Sequence, residues 1–149
     1  MVTHSASCSA GSLAAAAPGA SENGLDVFCF LRSAGQAAIE AKRWEAAIGP
    51  LSSAALRDTR NADIQNYLGY AYHRTGQLEL AFKHYGRALE LNPRHRGAHE
   101  YEAYLMVDNL AKAEVHLASL KGICLIPCEE YEDLKKAIAA YRRRTGKGS

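Results

Sequence analysis

Apolar residues recur along most of this chain at steps of three and four, the spacing that keeps one face of an α-helix dry. The clearest run lies between Asn66 and Pro93, where Leu68, Tyr72, Ala81, Tyr85 and Ala88 alternate with polar stretches. Gly76 interrupts the pattern and reads as a turn. Asn92-Pro93 closes it, because the residue before a proline avoids helical backbone. The same logic predicts seven helices, at about 26–42, 45–57, 62–75, 78–91, 96–107, 109–122 and 127–143. In the last one, Tyr131, Leu134, Ile138 and Tyr141 form a single apolar stripe and the other faces are polar. Pro127 is expected in its first turn, where a missing N–H does no harm. Glu129, Glu130, Glu132 and Asp133 suit the positive end of that helix.

The pattern also repeats at a longer period, about 34 residues. Gly69, Ala81, Tyr85 and Ala88 have counterparts one period earlier in Gly35, Ala47, Leu51 and Ala54. Trp44 stands in the place of Leu78, and Pro50 falls inside a helix that it is expected to kink. In the forward direction Ala113 answers Ala81 at a shorter separation, two positions less than the period. The two missing residues are assigned to the stretch His99 to Tyr104, where no Leu-Gly pair appears. Two residues turn a helix face by about 200°, so this helix is expected to be short and its repeat irregular.

Leu68, Gly69, Tyr72, Ala81, Tyr85, Ala88 and Pro93 resemble the signature of the tetratricopeptide repeat, with Gln65 in the place of its usual early tryptophan. The resemblance implies an all-α, antiparallel helix-pair solenoid of about three repeats, at about 28–60, 62–93 and 96–122, with a C-terminal capping helix at 127–143. That domain would span 25–143, between flexible tails at 1–24 and 144–149. The run from Asn92 to Tyr101, then Leu110 to Glu114, a cysteine pair and Glu129 to Leu134 also resembles small exported proteobacterial repeat proteins. Those proteins usually carry a signal peptide and a cysteine pair before the last helix, which implies a periplasmic location. The segment from Met1 to Gly24 departs from that pattern. It lacks the cationic start and long apolar core of a signal, and as it stands implies a cytoplasmic protein.

Charge and composition narrow the function classes. Net charge is +2 with acids and bases interspersed, which argues against nucleic acid as a partner. No run approaches the roughly 18 apolar residues of a membrane span. The histidines and cysteines show no catalytic or metal-site spacing, and no glycine-rich phosphate loop is present, so neither an enzyme nor a cofactor is expected. His84 and His116 are placed on outward faces. Arg94-His95-Arg96 is either a solvated loop or a small anion-binding spot. Cys124 and Cys128 flank the turn into the last helix. They are expected to form a staple, with two reduced, half-buried thiols as the alternative.

What remains is a surface. By the geometry that the resemblance implies, the first helix of each pair lines a concave groove. Asn66, Tyr70, His73 and Arg74 of the middle repeat should face it, with Arg32, Gln36 and Ile39 from the first repeat and Glu100 and Glu102 from the third. The expected function is a non-enzymatic interaction module that holds a protein or peptide segment there. The alternatives are a self-associating structural repeat protein, or an accessory subunit of an enzyme or secretion complex.

Overall fold

Small side chains at the helix crossings set the architecture. In the computed structural model, which describes residues 8, 24–105 and 109–146, the order is α1 (Gly24–Glu40), α2 (Trp44–Arg57), α3 (Ala62–Arg74), α4 (Leu78–Leu91), α5 (Arg96–Leu105), α6 (Leu110–Ile123) and α7 (Glu129–Thr145). No strand occurs among the described residues. The helices pair as antiparallel hairpins, α1–α2, α3–α4 and α5–α6, and each hairpin's second helix packs on the first helix of the next. α7 closes the stack against α5 and α6. The first helices of successive hairpins touch one another more closely than the second helices do. The stack therefore curves toward the layer α1, α3, α5 and α7.

Gly69 shows why a small residue is needed. A Cβ there would lie 2.6 Å from the ring of Tyr85, and Tyr85 is completely buried. Gly35 stands in the same relation to the buried Leu51. Two apolar clusters result. One joins α1, α2 and α3 through residues such as Phe28, Leu51, Ile64 and Leu68. The other joins α5, α6 and α7 through Ala103, Ala113, Leu120, Leu134 and Ile138.

The helix ends are chemically specified. Asn61 is buried, and its side chain accepts a hydrogen bond from the Ile64 N–H at 3.2 Å while donating to Asp58. That satisfies one of the orphan donors of a helix start. Asn109 does the same for α6. Gly76 turns the chain in the left-handed region, φ 80°, which costs glycine nothing. Its counterpart one repeat earlier is Lys42, which adopts φ 57°. The periodic pattern expected helix to about 42; instead Lys42 takes the left-handed turn position of the first hairpin.

The third repeat departs from expectation differently. Ala98, His99, Glu100 and Ala103 are buried on α5, as their counterparts Ile64, Gln65, Asn66 and Gly69 are on α3. The register of α5 is therefore unshifted. The two residues are lost after Leu105 and ahead of Leu110. A loss beyond Ala103 leaves that packed face intact.

At the C-terminus, α7 begins two residues after Pro127, with Cys128 as its N-cap. It runs on to Thr145 and ends at Gly146 in the left-handed conformation, φ 66°. α2 continues through Pro50. The tails expected at 1–24 and 144–149 lie for the most part outside the described residues. Cys8 is described, and its sulfur bonds that of Cys29, a pairing that the sequence did not suggest. The sulfurs of Cys124 and Cys128 are bonded as well. Both pairs predict that protein purified from an oxidising compartment, denatured without reductant, will titrate no free thiol, and four after reduction. Four thiols before reduction would refute both bonds.

Candidate functional site

α1, α3, α5 and α7 present the face on which the candidate residues were placed. Gln36 on α1 donates from Nε2 to the Tyr67 hydroxyl on α3 at 2.8 Å, tying the first two hairpins. Asn66 lies against Gly97, its Nδ2 at 3.2 Å from where a Cβ would stand. A glycine at the start of α5 therefore lets that amide in. Tyr70 sits in the middle of an aromatic row. Its ring meets Trp44 edge-on at 5.4 Å and Tyr101 at 4.9 Å, and Tyr104 follows Tyr101 at 6.3 Å. The Arg74 guanidinium covers the Trp44 ring at 4.8 Å, a cation–π contact at one end of the row. Ile39 departs from expectation: it packs against the first apolar cluster.

Three of the nominated residues share an unusual property. Arg32 Nε, Asn66 Oδ1 and His73 Nδ1 are buried polar atoms with no hydrogen-bond partner among the described residues, and the Tyr85 hydroxyl is a fourth. Buried polar atoms are nearly always paired, since leaving one unmade costs about 1–3 kcal/mol. Burial, and then the Arg74 charge, lower the pKa of His73 below the ordinary histidine value, so its ring favours the neutral form.

The C-terminal end of the face is acidic. Glu100 is buried and accepts a hydrogen bond from the Tyr104 hydroxyl at 2.9 Å. Burial pushes its carboxyl up to about 6, helped by Glu130, Asp133 and Glu129 at the start of α7 and opposed by the Tyr104 bond. Burial and Glu100 push Tyr101 up to about 12. Glu102 is raised by burial alone. Arg96 reaches Glu130, itself half-buried, at 3.8 Å, and Lys136 reaches Asp133 at 3.2 Å.

The histidines are packed, not merely solvent-facing. His84 is half-buried, stacks on Tyr72 and bonds Gln65 Oε1 at 2.8 Å. His116 bonds His99 at 3.0 Å. These are one device used twice: a polar residue of the first helix meets a histidine of the second. His99 Nε2 faces the Pro93 carbonyl at 2.8 Å and must donate to it. In the neutral pair His116 therefore donates to the free lone pair of His99 Nδ1. His95 is committed as well. Its Nδ1 accepts from the Ala98 N–H, so its Nε2 donates to Asp63. Of the two readings for Arg94 to Arg96, a solvated loop or a small anion-binding spot, the second would have its histidine engaged with a carboxylate.

Sequence reasoning missed Trp44, Tyr101 and Tyr104 at this face. A signal was present: Tyr67 and Tyr70 recur one repeat later as Tyr101 and Tyr104. No cluster of three or more metal-ligating side chains occurs among the described residues, and no described helix is long and apolar enough to cross a membrane.

Residues 62–95 match the tetratricopeptide repeat family. No curated protein matches the chain. Among solved structures, the chain is similar to the first tetratricopeptide repeat domain of Spaghetti (RPAP3) bound to the HSP90 peptide SRMEEVD. The TM-score is 0.67 at 17% identity, covering 76% of this chain and 91% of that one. It is also similar to a chain of the CopN–Scc3 complex, with TM-score 0.62 at 20% identity over 81% of this chain and 71% of that one. At these identities the likeness carries the fold: an all-α repeat solenoid.

Proposed function

We propose, starting from the tetratricopeptide repeat at residues 62–95, that the chain is a non-enzymatic interaction module that holds a protein or peptide segment on the inner face of its helical stack. Arg32, Gln36, Asn66, Tyr70, His73 and Arg74 are the residues assigned to that groove. The observation that carries the reading is the coincidence of unmade hydrogen bonds with the nominated residues: Arg32, Asn66 and His73 each leave a buried polar atom unpaired. These atoms are closed to solvent, so a bound backbone, with both donors and acceptors, would relieve that cost once the side chains turn outward to meet it. Rigid presentation by stacked helices needs no conformational change to bind. The two solved structures similar in fold are a complex with a peptide and a complex between proteins. The likeness to exported repeat proteins extends the proposal to an oxidising compartment, where two disulfides would persist.

The test is affinity capture with the wild type beside an Asn66→Ala/Tyr70→Ala/Arg74→Ala variant whose helicity and unfolding midpoint have been checked. A partner captured by the wild type and lost with the variant is the expected result. Equal recovery of the same proteins by both would place binding elsewhere.

A further inference from the structure

The aromatic row has two unlike ends. At its first ring the chain supplies its own cation, the Arg74 guanidinium over Trp44. At Tyr101 and Tyr104 no cation covers a ring among the described residues, and the surrounding charge is negative: Glu100, Glu129, Glu130 and Asp133 all act on this end. Arg96 and Lys136 meet two of these acids, and Glu100 has neither as a partner. The floor of the same region holds two unpaired polar oxygens. Tyr85 is fully buried, yet its hydroxyl has no partner, and it lies within the electrostatic influence of Tyr101, Tyr70 and Glu100. Asn66 is 9% exposed, and its Oδ1 is also unpaired, beside the first turn of α5.

The geometry points to a site for a basic side chain, arginine or lysine, of a bound peptide segment at the α3–α5 end of the groove, beside Tyr101, Tyr104 and Glu100. The inference rests on the groove reading above and adds the charge of the occupant. Every group involved asks for the same chemistry. A guanidinium brings only donors, and the unpaired Asn66 Oδ1 is an acceptor. Tyrosine faces attract a cation. A buried carboxyl crowded by three others is relieved by one. An acidic side chain would meet four carboxylates at this end. The opposite end, with Arg32 and Arg74, gives the bound segment a direction: its basic residue lies toward α7.

The test uses the full chain and short fluorescein-labelled Gly-Ser peptides that differ only in carrying two arginines, two glutamines or two glutamates. Fluorescence anisotropy is read at low salt near neutral pH. The arginine peptide is expected to bind about tenfold or more tightly than the glutamate peptide, as one charge-assisted contact with a cation–π face allows. Glu100→Gln should cut that preference by roughly fivefold or more. Tyr101→Leu should weaken the arginine peptide while sparing the glutamine peptide. A preference for glutamate, equal binding of all three, or no arginine binding would overturn the inference. So would an unchanged preference in a Glu100→Gln protein that retains its wild-type unfolding midpoint. Each of these leaves the groove itself to the capture experiment, which does not depend on the charge of the probe.

Discussion

Gly69→Ala will lower the unfolding midpoint, and the same substitution at Gly86 will raise it. Both glycines lie inside helices, where alanine gains about 1 kcal/mol of helical propensity. The difference is what the new methyl meets. At Gly86 nothing lies within 4 Å, so the propensity gain of about 0.5–1 kcal/mol stands alone. At Gly69 the methyl would stand 2.6 Å from the Tyr85 ring. That ring is fully buried between helices and cannot swing into solvent. Overpacking of this kind costs about 1–3 kcal/mol, and forcing the α3–α4 crossing apart puts this site at the upper end. The net loss should be about 1–2 kcal/mol, a fall of roughly 3–8 °C for a domain of this size. A Gly69→Ala/Tyr85→Leu double variant should lose less than the sum of its parts, because the pair is in contact. Strict additivity would show that the crossing does not depend on this fit.

Acid will unfold the wild type sooner than it unfolds His116→Gln. Burial, and after it the His99 imidazole, hold His116 down to about 4 from its ordinary 6.5. In the unfolded chain the proton binds near 6.5, in the fold only near 4. Between those values the unfolded state holds more protons, so stability falls as pH falls through that window and is fully present above it. The shift is worth roughly 2–3 kcal/mol after allowing for partial exposure. Glutamine keeps a donor for His99 and removes the titration. Relative to the wild type, the variant should therefore gain by about that amount between pH 7 and pH 4.5 in denaturant titrations. His84 and His73, both lowered by burial, add to the slope in the wild type. Glu100 opposes it. Its raised pKa stabilises the fold below about 4.5 and loses that effect as pH rises through about 6, so Glu100→Gln should steepen the acid loss. Parallel profiles for the wild type and His116→Gln would mean that His116 is not protected in the fold.

The helical solenoid was legible because its determinants are few and local. Gly69, Ala81, Tyr85 and Pro93 each answer one steric demand, and one well-formed repeat sets the ruler for its neighbours. The ruler was misread in one place. Searching for a Leu-Gly pair put the two-residue loss inside α5, although Tyr67 and Tyr70 recur in step as Tyr101 and Tyr104. The buried face of α5 tolerates Glu102 and Ala103 where α3 has Leu68 and Gly69, so residue identity failed where spacing held. Lys42 was not seen as a turn because a left-handed lysine has no compositional mark. The histidines were read singly, yet their environment depends on Gln65 and His99 across the hairpin. Cys8 and Cys29 are joined across a sequence separation of 21, with no helical pattern between them to fix their relation. The sequence nominated polar residues and Tyr70 for the candidate face but not its aromatic row, since Trp44, Tyr70 and Tyr101 come from three different helices.

The two apolar clusters share no buried side chain. What lies between them is α4, with Ala81, Tyr85 and Ala88, and the tyrosine row from Tyr70 to Tyr104. The two clusters are thus two blocks bridged by α4, which packs on both α3 and α5, and the face assigned to a ligand runs across that seam. A ligand lying across it binds only while the blocks are together, so it raises the free energy of parting them by RT ln(1 + [L]/Kd). Occupancy of the groove would be felt as stiffness along the whole stack, and a loosened seam as lost affinity.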